Sequence, residues 1–94
     1  MTWAASIDID LRHAAHELAE AEAHAERKHW RFALSSLLAA AEPLEHLGTL
    51  QRHLTAEQRK DVNAMIARVE TMWRQALRGS NADDQQQQQM RRRA

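Results

Sequence analysis

The sequence predicts an all-α fold: a small three-helix bundle, built as a helical hairpin plus a third helix, with a disordered polar tail at its C-terminal end. Three observations carry this. Among 94 residues there are two glycines and one proline, so breakers are scarce. β-branched residues form no runs, which removes the usual strand signal. Apolar residues recur at three- and four-residue spacing in three separate stripes, the period of amphipathic helices.

The first helix is expected over about 7–27. Ser6 is placed to cap it, with Asp8 and Asp10 favourable in the first turn. Its apolar stripe is Ile7, Leu11, Ala14, Leu18, Ala21 and Ala25. A second stripe follows: Trp30, Ala33, Leu34, Leu37, Leu38, Ala41 and Leu44. Carried along one continuous rod, the second stripe lies about 140° around the axis from the first. A turn within Glu26-Arg27-Lys28-His29 lets both stripes meet, so a hairpin is expected. The rival is one long helix that offers two faces to two partners.

The second helix is expected over about 30–42. Pro43 should stop or kink it, with one further turn before Gly48 ends it. Thr55-Ala-Glu-Gln58 has the form of a capping box and opens the third helix, about 56–78. Val62, Met65, Ile66, Val69, Met72, Trp73, Ala76 and Leu77 make the cleanest stripe in the chain. Gly79 is read as its stop. The division is therefore a helical domain over 1–79 and a low-complexity tail over 80–94, SNADDQQQQQMRRRA, too poor in apolar groups to offset ordering.

About eighty residues of core-forming chain are marginal for independent stability. With no cysteine, disulfides and thiolate zinc sites are unavailable. Self-association is the remaining common remedy, and a homodimer resting partly on the third helix is expected. Its seam would be Val62, Ile66, Val69, Trp73 and Ala76. No signal peptide or apolar span is visible, so a cytoplasmic protein without a membrane partner is expected. Arginine-for-lysine usage and the alanine load suggest a bacterial or phage source.

Net charge is zero but unevenly spread. Up to Leu47, acids outnumber Arg and Lys eight to four; beyond it, Arg and Lys lead nine to five. Three of those nine are the terminal Arg91, Arg92 and Arg93. Lys60, Arg74 and Arg78 share the polar side of the third helix, so an accessory nucleic-acid-binding subunit is the alternative reading. Asp61 and Glu70 dilute that charge.

The stretch from His13 to Trp30 holds four histidines and four glutamates. His13, His16, His24, Glu17 and Glu20 fall on the side of the first helix away from its apolar stripe. Histidine and carboxylate one turn apart can chelate, but a site needs a third or fourth ligand, as from a symmetry mate, and no closed motif is visible. Glu26-x-x-His29 is half of a di-iron motif and occurs once. A solvated helix face is the better reading, with no metal and no cofactor. His46 and His53, with Glu45, flank Gly48, where a loop histidine is usually just exposed. Ser35 and Ser36 have no activating motif, tyrosine is absent, and no glycine-rich phosphate loop occurs. An enzyme is not expected.

Trp30 and Trp73 read as core or interface anchors. Trp3 either folds back on the bundle or meets another chain. Trp30-x-x-Ala33-Leu34-x-x-Leu37-x-x-Ala40 resembles the second helix of a tetratricopeptide repeat. The preceding helix lacks that family's aromatic and glycine positions, the pattern occurs once, and no function is carried over. The function expected is a small adaptor or inhibitor, phage- or mobile-element-encoded, that binds protein through Trp3, Met65, Val69, Met72 and Trp73. Methionine suits an adaptable surface but also fills cores.

Overall fold

A computed structural model describes residues 3–93. It contains α1 (Trp3–Glu26), α2 (Trp30–Thr49), a 3-10 turn (Gln51–His53) and α3 (Ala56–Arg93), with no strand among the described residues. α1 and α2 form the hairpin; α3 packs mainly on α2 and extends past it, giving a rod of 60 × 20 × 19 Å.

The hairpin turn is closed by backbone bonds. Lys28 N–H donates to Ala25 O at 3.0 Å, and His29 N–H to His24 O at 2.8 Å. This pair of bonds is a Schellman stop, which needs a left-handed residue; Lys28, at φ 60°, occupies it in place of the usual glycine. The phase jump between the two stripes thus has the expected cause, and the one-rod alternative is excluded.

Three boundaries differ from expectation. α1 starts at Trp3, so Ser6 lies inside the helix and does not cap it. The indole of Trp3 stacks on His53 with ring centroids 4.7 Å apart, which anchors the extra turn. α2 runs through Pro43 to Thr49. A proline removes one backbone donor, but its ring is buried here, and Leu44, Leu47 and Leu50 beyond it are buried too. That burial offsets the lost bond.

The third difference is at Gly79, which does not end α3: no glycine has positive φ, and the helix continues to Arg93. Glutamine is a good helix former and no proline follows. The ion pair of Arg31 with Asp84 (3.2 Å) ties the extension to α2. The expectation of an unordered tail is corrected in its secondary structure only. From Gln85 to Arg92 every residue is exposed, so the apolar-poor segment adds helix without adding core.

The capping box forms as read. Gln58 N–H donates to Thr55 Oγ1 at 3.1 Å and Thr55 N–H to Gln58 Oε1 at 2.9 Å.

The core has two clusters. Ile7, Ala14, Leu44, Leu47, Leu50, Leu54 and Val62 fill the end nearest the α2–α3 connection. Leu18, Ala21, Leu37 and Ala40 fill the middle, with Met65, Val69, Met72 and Trp73 packed against them. Ala14 and Ala21 on α1, and Ala33 and Ala40 on α2, are each 0–1% exposed. They recur seven residues apart on both helices, a small-residue seam that lets the two backbones approach closely.

The α3 stripe is correspondingly consumed. Val62 and Ala76 are buried, and Met65, Val69, Met72 and Trp73 are half-buried against the hairpin. The seam read as a dimer contact is therefore in the main the chain's own core, and only Ile66 and Leu77 remain at its exposed edge. Alternation by three and four residues says that a helix packs, not on which helix it packs.

Candidate functional site

The histidine face resolves into ordinary pairs. His13 lies 3.8 Å from Glu17 and His16 4.0 Å from Glu20, both one helical turn apart. His24 leaves that face: its half-buried ring lies 5.5 Å from Phe32 and 6.5 Å from His29, a ring cluster beside the hairpin turn. Glu22 pairs with Arg68 of α3. His46 is in α2, not in a connection, and meets Asp10 of α1; His53 lies under Trp3. Among the described residues no three His, Asp or Glu side chains converge where a metal could be held.

At the hairpin-turn end Trp30 covers Gly79. A Cβ on Gly79 would overlap the indole, whereas one on Gly48 would meet nothing within 4 Å. Both glycines, expected as helix stops, are helical, and only Gly79 is required by a neighbour. A shallow pocket of 260 Å³ beside Trp30 is lined by His29, Phe32, Asp83, Asp84 and Gln87 among others.

This contact predicts a change of sign. Replacing a helical glycine by alanine gains about 1 kcal/mol of propensity. At Gly79 the overlap with Trp30 outweighs that gain, so Gly79→Ala should destabilise by about 1–2 kcal/mol. In a Trp30→Ala background the same change should stabilise. Urea unfolding of the four chains measures this; equal effects of Gly79→Ala in both backgrounds would show that the ring does not sit there.

An apolar surface lies along the α2–α3 edge. Ala41, Leu44, Gly48, Ile66 and Val69 line a groove of 360 Å³, with Glu45 and Glu70 at its rim. Leu38 continues it at 61% exposure and Leu77 at 40%. On α2, Leu34, Leu38, Ala41, Glu45 and Gly48 fall within about 80° of arc; on α3, Ile66, Glu70, Trp73 and Leu77 fall within about 60°. Leu38, a member of the second apolar stripe, therefore lies outside the core. The signal for this edge was the breadth of the α2 stripe, about 140° of arc, more than its neighbours cover.

The other sequence-derived binding residues are scattered. Val69 lines the groove and Trp73 is half-buried in the same arc of α3. Met65 and Met72 pack against the hairpin clusters. Trp3, 56% exposed, stands at the other end of the molecule on His53. Lys60, Arg74 and Arg78 are exposed on the solvent side of α3. Arg92 repeats their phase within about 40°, and no Asp or Glu falls in that arc. Asp61 and Glu70 therefore flank the basic stripe without interrupting it.

No helix among the described residues is long and apolar enough to cross a membrane. No protein-family model matches this chain, and neither does any curated protein or solved structure.

Proposed function

We propose that this chain is a non-enzymatic protein-binding module, a small adaptor or inhibitor, that docks through the α2–α3 edge. The observation that carries the reading is the exposure of Leu38, Ile66 and Leu77 around an apolar groove. Single exposed leucines are ordinary, but a contiguous apolar patch with a charged rim is the usual form of a protein contact. The histidines that might have served chemistry are engaged otherwise: His13 and His16 pair with glutamates one turn on in α1, His46 meets Asp10 of α1, and His53 stacks on Trp3. The test is a photo-crosslinking amino acid placed at Leu38 in the native host, with a second placed at His16 on the opposite side. Protein adducts from Leu38 and none from His16 are expected; no protein adduct from Leu38 would overturn the reading.

A second reading, an accessory nucleic-acid-binding subunit, is favoured by the acid-free stripe of Lys60, Arg74, Arg78 and Arg92. Such a stripe along one helix suits phosphate contacts without base readout. It requires binding to DNA or RNA that weakens steeply with salt. A mobility shift at low salt, lost in the Arg74→Ala/Arg78→Ala chain, would establish it, and no shift would dismiss it.

A further inference from the structure

We propose that the occupant of the α2–α3 edge is a second copy of this chain, related by a twofold axis passing near Leu38; this rests on the reading of that edge as a protein-docking surface. The argument is the order of charges along it. On α2, Arg31, Leu38 and Glu45 are spaced by seven residues and so lie nearly in line, with about 20° of drift per step. Arg31 and Glu45 each stand about 10 Å along the axis from Leu38. All three are exposed.

α3 repeats the order. It runs antiparallel to α2, with Gly79 and Asp84 at the Arg31 end and Ile66 and Glu70 at the Glu45 end. Arg74 therefore lies toward the basic end and Glu70 toward the acidic end, and Glu42 adds to the acidic half. Although Asp84 shares its end with Arg31, the face carries Arg31 and Arg74 toward one end, Glu42, Glu45 and Glu70 toward the other and apolar side chains between, an order complementary to its own image under a perpendicular twofold. Under that operation Leu38 meets Leu38 of the copy, and Arg31 of each chain faces Glu45 of the other. Arg31 keeps its contact with Asp84, because that uses one of the several guanidinium donors on a side chain that is 80% exposed. A foreign apolar helix would fit the groove without needing the charges sorted in this way.

The dimensions agree. Two adjacent helices over the length of α2 present a face about 30 Å long and 20 Å wide. That is of the order of 600 Å² per copy, toward the small end of specific interfaces, so a reversible dimer of micromolar strength is expected.

The experiment is sedimentation equilibrium on the full chain, with circular dichroism to show that each variant is folded. The wild-type chain should dimerise. Arg31→Glu and Glu45→Arg each place like charges at both contacts and should each weaken the dimer about tenfold or more. An equimolar mixture of the two variants restores opposite charges at both contacts and should recover dimerisation near the wild-type level. Wild-type chain that stays monomeric at several hundred micromolar, single variants that dimerise normally, or a mixture no better than its components would each overturn the proposal. In those cases, a Leu38 photo-adduct to a different protein still supports the docking reading, and absence of any protein adduct removes both.

Discussion

Leu37→Ala should cost about 3–4 kcal/mol and leave much of the chain unfolded near 37 °C. Leu37 is 0% exposed and belongs to the cluster in which α1 and α2 residues meet Met72 and Trp73 of α3. Truncation removes the transfer energy of the lost carbons and leaves a cavity that three helices cannot all close around. For a chain of this length total stability is of the order of 5–10 kcal/mol, so the loss is a large fraction of it. The adjacent residue supplies the control: Leu38, 61% exposed, should tolerate alanine within about 0.5 kcal/mol when the chain is kept dilute. Urea unfolding followed at 222 nm checks both. Equal costs at the two leucines would mean that α2 is rotated from the orientation described.

Ala21→Leu should be nearly as damaging, by the opposite mechanism. Ala14, Ala21, Ala33 and Ala40 hold α1 and α2 close, and Ala21 has no exposed surface. Three added carbons have nowhere to go unless the hairpin opens, which also disturbs the Leu18–Leu37 cluster. Overpacking at such a seam costs about 3 kcal/mol. In a domain this small that corresponds to a fall in Tm of about 12 °C or more. Ala19→Leu, on the exposed side of the same helix, should move Tm by only a degree or two. Thermal melts of the two variants give the answer; similar melting points would refute close alanine packing between α1 and α2.

Much of the bundle was legible because it depends on local chemistry. The change of hydrophobic phase between Ala25 and Trp30 located the hairpin turn, and Thr55 with Gln58 gave the start of α3 to the residue. Pro43 and Gly79 misled because each was read as punctuation. Burial of the proline ring with Leu44 and Leu47 carries α2 onward, and the indole of Trp30 accounts for the glycine. Neither contact is local in sequence. The α3 stripe was found correctly but given to the wrong neighbour, since periodicity marks a packed face without naming what packs on it. Leu38 stands in the second apolar stripe and Ile66 in the expected dimer seam, and their exposure follows only from where the third helix lies.

In the proposed dimer a second copy covers the α2–α3 edge with Leu38 at the axis. The chain has no cysteine, so one introduced thiol reports without interference. A twofold axis at that position brings the Leu38→Cys thiols of the two copies together, within the Cα separation of about 4.4–6.8 Å that a disulfide needs. Ser35→Cys, exposed on the same helix but about 60° around from Leu38 and away from the groove, is the control. Under mild oxidation at micromolar concentration, Leu38→Cys should convert to a covalent dimer much faster than Ser35→Cys. Equal rates of cross-linking at the two positions, or none at Leu38→Cys, would contradict the account.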